Sequence, residues 1–189
     1  MNFKNFVSSY SMRLNHSIAN MPYEKVQILA ETLQAAWSQK KTIYLCGNGG
    51  SAGNAIHIAN DWIYGAGVKE GIGLRVEALS ANSAVLTCLA NDIGYDKIYA
   101  EQLRVKANSG DVLIVLSGSG NSANVVSALE LGNSIGMTTF AILGFDGGQC
   151  KSLAHHSIHF ATNDMQVSED LQLIIGHICM QWLCQEGKS

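Results

Sequence analysis

His57 and Asp61 lie four residues apart in a segment of helical periodicity, so their side chains share one helix face. A neighbouring imidazole and carboxylate can divide acid and base work near neutral pH. They can also offer two ligands to a metal that takes others from elsewhere. A capped helix whose histidine packs on a sheet has the same spacing. A last helical pattern, from about Ser168 to Gln185, sets Glu169, Asp170 and His177 in an apolar stretch. Asp170 and His177 are seven apart and nearly share a face. Glu169 and His177 are eight apart, roughly 80° round the helix and ~12 Å along it at ~1.5 Å per residue. That is too far for both to ligate one ion within one unbroken helix of one subunit. A dipole-favoured acid and a buried histidine are the ordinary readings of these residues. His155, His156 and His159 fall in a short strand-like stretch where adjacent side chains diverge. They, and His16, are expected in surface or core roles.

Two loops could hold an anion. The first, Gly47-Asn48-Gly49-Gly50-Ser51, joins an apolar run to the segment that carries His57. The second, Ser117-Gly118-Ser119-Gly120-Asn121-Ser122, also follows an apolar run and precedes a helical one. Small residues let backbone N–H groups approach an anion at a helix N-terminus. Neither loop carries Lys or Arg, so binding would rest on neutral donors and the helix dipole, which suits a sugar phosphate better than a nucleoside triphosphate. A plain strand–helix connection with Ser122 as N-cap remains the alternative. A Walker A sequence is absent. Gly47-x-Gly49-x-x-Ala52 meets a permissive dinucleotide fingerprint, but the acid expected about 20 residues on has no clear home. Glu70 falls in a loop and Glu77 in the middle of a strand-like run.

The elements that must position these residues alternate. Apolar strand-like runs are 42–46, 74–79, 112–116, 138–143 and 157–160. Helical segments between them are 52–64, 83–90 with 96–106, 122–135, and a short one near Lys151. Two helical patterns precede the first strand: Phe3, Phe6, Val7, Tyr10, Leu14 and Ile18, then Val26 to Trp37 behind Pro22. Near-continuous strands alternating with helices predict an α/β three-layer sandwich with a five-stranded parallel sheet. Residues 1–189 form one domain: a helical pair over 1–40 used in oligomer packing, and an α/β core over 41–189. Both loops fall at the carboxyl ends of strands, where open α/β sheets bind ligands.

Composition narrows the function classes. The 189 residues are enough for one sizeable core. Only 14% are charged, which favours surface covered by partner subunits. A net charge of −3 gives no electrostatic case for nucleic acid or an anionic membrane. Five scattered cysteines without a CxxC pair suit reduced thiols in the cytoplasm. No secretory leader and no membrane span are expected.

Taken together, Gly47–Ser51, His57-Ile-Ala-Asn-Asp61, Ala90-Asn91-Asp92, Ser119-Gly-Asn-Ser122-Ala-Asn124 and Gly176-His177-Ile resemble the SIS (sugar isomerase) domain family. The likeness is nearest to the bacterial phosphoheptose isomerases and covers nearly the whole chain. It implies a homotetramer with active sites shared between subunits. It implies that Asn48, Gly49, Gly50 and Ser51 line the sugar-phosphate site, that Asn91 and Asp92 contact substrate, and that Ser117, Gly118, Ser119 and Ser122 form the phosphate loop. The family's zinc positions map to His57, Asp61, Glu169 and His177, one Zn2+ per subunit. Asp61 and His177 map to its proton-transfer pair, and Asp61 and Glu169 also border the substrate. Three positions depart from the family. Asp61 replaces Glu, which moves the carboxylate by roughly an ångström, a shift able to change a rate ~100-fold. Glu169 replaces Gln and adds charge. Gly118 replaces Thr and removes a hydroxyl.

The implied activity is aldose–ketose isomerisation of sedoheptulose 7-phosphate and D-glycero-D-manno-heptose 7-phosphate through an enediol, the first step of heptose synthesis for lipopolysaccharide or capsule. Two alternatives remain on sequence. One is a non-catalytic SIS protein that binds a sugar phosphate or the replication initiator. The other is an isomerase of another sugar phosphate. Two histidines kept beside two carboxylates favour catalysis, since a scaffold would not need them.

Overall fold

The apolar runs pair as one parallel sheet in a computed structural model that describes residues 2–65 and 73–186. The strands are β1 (Thr42–Gly47), β2 (Arg75–Ala78), β3 (Val112–Ser117), β4 (Thr138–Leu143) and β5 (His156–His159). Their order is β2-β1-β3-β4-β5, with Leu45 opposite both Ala78 and Ile114. The chain leaves β1 toward one edge and returns to β3 on the other side. The switch point therefore lies between β1 and β3, where open α/β sheets place their ligands.

Alternation along each strand feeds two cores. Ile43, Leu45, Ile114, Leu116 and Ile142 point to a layer built by α2 (Tyr23–Ser38), α3 (Gly50–Asn60) and α8 (Met165–Glu186). Tyr44, Cys46, Leu113, Val115 and Ala141 point to the opposite layer. That layer holds α5 (Ala100–Lys106), α6 (Ala123–Ile135) and α7 (Gly148–Leu153). Covering on both faces is why the strands read as near-continuous apolar runs.

The two N-terminal helices differ. In α2, Val26, Leu29, Ala30, Leu33 and Ala36 are buried in the chain's own core. In α1 (Phe3–Ala19) no residue is buried, although Tyr10, Leu14 and Ile18 rest on that core. Tyr10 and Arg13 tie α1 to the start of α8 through Asp170 and Asp164. Phe3, Phe6 and Met12 stay exposed.

The largest differences from the expected element boundaries lie in three helical segments. The segment expected as one helix over 52–64 is α3 followed by a π-helical turn, Asp61–Gly65. The segment 96–106 breaks into a 3-10 turn (Tyr95–Lys97) and α5. The last helix starts at Met165 rather than Ser168, because Asp164 caps it. The Asp164 carboxylate accepts from the N–H groups of Gln166 at 3.1 Å and Val167 at 3.2 Å. Asn82 starts α4 (Ser83–Asp92) in the same way, accepting from Val85 N–H.

Candidate active site

The helices α3 and α8 approach closely because one residue at their crossing lacks a side chain. A methyl group on Gly176 would lie 2.7 Å from Ile58 Cγ1 and 2.9 Å from its Cδ1. The buried Trp62 donates its indole N–H to Gly176 O at 3.0 Å. One end of this bond follows Asp61 in sequence and the other precedes His177. A second link lies nearer the start of α3. Gln172 Nε2 donates to Ser51 Oγ at 3.0 Å, and its Oε1 accepts from Asn54 Nδ2 at 2.9 Å. Asn54 also donates to Glu169 O at 3.0 Å. Gln172 is fully buried, so these bonds satisfy groups that could not be left unpaired cheaply.

This crossing brings His57, Asp61 and His177 together. Nε2 of His57 and Nε2 of His177 are 3.0 Å apart. Asp61 Oδ2 is 3.4 Å from each of them. The imidazoles are about half exposed and the carboxylate is more sheltered. Three groups with lone pairs this close together can share a proton or a cation. Ligand atoms around a tetrahedral zinc with bonds of about 2.0–2.1 Å stand about 3.3–3.4 Å apart, close to the spacing seen here. Two His and one carboxylate with a fourth position open is the donor set of catalytic zinc sites. The donors therefore fit the metal. Asp61 stands at the α-to-π transition, a kind of distortion frequent at functional sites.

A cavity of about 260 Å³ opens at the switch point. Its lining comes from both loops, Asn48–Ser51 and Leu116–Ser119 with Ser122, and from Met165 and Glu169 of α8. Asn48 is fixed by a reciprocal amide pair with the buried Asn124, both bonds 2.8 Å, and its Oδ1 also accepts from Tyr95 OH at 3.0 Å. This pair joins the end of β1 to the start of α6. Ser117 Oγ accepts from Gly120 N–H at 2.9 Å and shapes its own loop. Ser122 stands at the N-cap of α6 but makes no side-chain capping bond. A Cβ at Gly118 would lie 2.5 Å from the Met165 sulfur, so a side chain there requires the flexible Met165 thioether to move. The Glu169 carboxylate rests on Gly50, the first residue of α3.

The remaining candidates separate clearly. Asn91 and Asp92 lie at the exposed end of α4, where Asn91 Nδ2 donates to Asp92 Oδ1 at 2.8 Å, and neither lines the cavity. Glu169 is not among the three converging groups. Asp170 accepts from Tyr10 OH, and that bond pushes the Tyr10 phenol up to about 12. His156 stacks on Phe140. His155 Nδ1 accepts from Thr139 N–H, and His159 bonds Phe145 O. Glu77 sits in β2 and pairs with Lys106, so it is not free to hold a ribose. Glu70 lies outside the described residues. Burial pushes the thiols of Cys150 and Cys179 up to about 11 and 12, and raises that of Cys46 further, which leaves all three unreactive.

Comparison with known proteins decides what such a site belongs to. The family model of the SIS domain matches residues 6–144. A phosphoheptose isomerase of Helicobacter pylori (strain P12) is 38% identical over 162 residues, covering 86% of this chain and 82% of that one. One from Nitratiruptor sp. is 40% identical over 146 residues, 77% of each chain. The chain belongs to the phosphoheptose isomerases of the SIS domain family.

Solved structures agree on the fold. The phosphoheptose isomerase of Neisseria gonorrhoeae superposes with a TM-score of 0.88 at 26% identity, covering 96% of this chain and 98% of that one. That of Francisella tularensis superposes with a TM-score of 0.90 at 22% identity, over 98% and 100%. Four residues at this isomerase site escaped the sequence reading. Asn54, Trp62, Tyr95 and Gln172 do no chemistry by type, and each acts by bonding across the fold. The polar Gln172 inside an apolar helix was the one visible signal.

Proposed function

We propose that the chain interconverts sedoheptulose 7-phosphate and D-glycero-D-manno-heptose 7-phosphate through an enediol, in the cytoplasm, at the start of heptose synthesis for lipopolysaccharide or capsule. The observation that carries this reading is the separation of two stations on one helix pair. His57 is seven residues along α3 from Gly50, and His177 is eight along α8 from Glu169. Each interval spans about 10–12 Å at ~1.5 Å per residue. An extended seven-carbon chain with a terminal phosphate ester reaches about 9–10 Å at ~1.2 Å of advance per bond. A cavity of about 260 Å³ is smaller than most whole-ligand sites. It suits the phosphate end, with the carbonyl end laid toward His57, Asp61 and His177.

At the phosphate end, Ser119, Ser122 and the N–H groups opening α6 supply neutral donors and a favourable dipole. Asn48, Gly49, Gly50 and Ser51 border the sugar. Asn91 and Asp92 would reach a substrate only from the exposed end of α4. At the carbonyl end, Asp61 and His177 share the proton work. One takes the proton from the carbon beside the carbonyl, and the other moves a proton between the two oxygens. His57, Asp61 and His177 would hold one zinc per subunit, which supplies Lewis-acid polarisation of substrate oxygens and stabilises enediolate charge. Glu169 would join that set only across a subunit boundary, in a homotetramer with shared sites. The exposed apolar face of α1 supports such an assembly. Among the described residues no helix is long and apolar enough to cross a membrane.

A coupled assay with sedoheptulose 7-phosphate, with and without added zinc, tests the activity. Turnover that vanishes in Asp61→Asn and His177→Ala is the expected result. A folded wild-type protein that forms no aldose would refute it. Metal analysis and the mass of the assembly in solution test the zinc and the tetramer separately.

A further inference from the structure

The cavity meets two helix N-termini, and one of them already faces a negative charge. The Glu169 carboxylate rests on Gly50 in the first turn of α3, where a side chain at position 50 would overlap it. The α3 dipole favours an anion at that point, and the chain supplies its own. Among the described residues, no lysine or arginine lines the cavity to offset a second anion beside it. The α6 side differs. Ser119 and Ser122 face the same cavity with no carboxylate among them, and Ser122 spends no side-chain bond on capping. Asn54 and Gln172 hold the helix segment that carries Glu169 against α3, which keeps the carboxylate in place.

We infer that Glu169 is a specificity-determining residue that excludes a phosphate from the α3 end of the cavity and so fixes the direction in which substrate lies. The phosphate is confined to the α6 end. The α3 end is left for hydroxyl groups, from which a carboxylate accepts hydrogen bonds readily and which it does not repel. Two N-termini bordering one small cavity would otherwise admit the phosphate in two positions. The inference rests on the assignment of this cavity to the phosphate of the substrate.

Inorganic phosphate is the probe, titrated calorimetrically into the full-length protein without substrate, at pH 8 and constant ionic strength. Glu169→Gln keeps the shape and removes the charge. It is expected to bind phosphate about tenfold more tightly than the wild type. Glu169→Ala is expected to gain similarly. A gain of affinity does not arise from misfolding, so the readout separates charge from structural damage. Equal or weaker binding in Glu169→Gln overturns the inference. So does a gain confined to Glu169→Ala, since volume rather than charge would then be responsible. Turnover of sedoheptulose 7-phosphate is followed in parallel. Normal wild-type turnover with unchanged phosphate affinity in Glu169→Gln removes only this inference. Absent wild-type turnover removes the isomerase reading itself.

Discussion

The cluster of His57, Asp61 and His177 and the cavity beside the two loops are held by opposite means. The cluster depends on the crossing of two long helices. Its geometry comes from the bare Gly176, from Trp62 bonded to Gly176 O, and from the buried Gln172. The cavity depends on strand ends and short loops, closed by the Asn48–Asn124 pair and by local bonds such as Gly120 N–H to Ser117 Oγ. Its lining offers several small, neutral donor groups, Asn48, Ser51, Ser119 and Ser122 among them. Rigid helix packing suits a step where a fraction of an ångström decides the rate. A loop cradle suits a phosphate, which tolerates the loss of one donor among several.

That contrast can be broken in graded steps. The largest effect is expected for Asp61→Asn, which keeps the shape but removes the charge and one of the two proposed proton carriers. Turnover should fall about 10³-fold, read in the coupled assay, with zinc content reduced as well. A smaller but still large loss is expected for Gly176→Val. The new side chain must push Ile58 and part the helices, so turnover should drop about 100-fold while circular dichroism stays native. If the cluster tolerates that substitution, its geometry does not depend on the crossing.

Ser122→Ala sharpens the other side. It should raise KM about fivefold and leave kcat unchanged, because it removes one hydroxyl from the proposed phosphate end. A selective fall in kcat would mean that the cavity takes part in the chemical step. The smallest effect concerns His156, outside both regions. Burial holds its imidazole below the ordinary 6.5, with Lys25 and His155 adding repulsion. The unfolded chain therefore takes up a proton that the folded chain resists. Thermal stability should decline modestly as pH falls below about 6.5, and His156→Gln should reduce that decline.

The same contrast explains what could be read from sequence. All five strands were legible, because both sheet faces are covered and the apolar runs are nearly unbroken. The loops were legible as glycine and serine clusters at strand ends. His57 and Asp61 could be paired from local spacing alone. Their meeting with His177 could not, since it depends on a contact across 120 residues of chain, at a crossing where a side chain at Gly176 would crowd Ile58. Trp62 reads as a core aromatic until its N–H is seen to reach Gly176 O. The early start of α8 follows from the Asp164 cap. Glu169 was read for its distance from His177 and by family likeness, and its place over Gly50 is a finding of the fold.

The central claim is that Asp61 and His177 move a proton between neighbouring carbons of a seven-carbon sugar phosphate. Proton NMR of sedoheptulose 7-phosphate in deuterium oxide, with zinc-loaded protein, tests it most directly. The account predicts an aldose heptose 7-phosphate that carries solvent deuterium on the carbon beside its carbonyl, formed by the wild type and not by Asp61→Asn. Unchanged substrate in the presence of folded, zinc-loaded wild-type protein, or equal deuterated product from Asp61→Asn, would contradict it.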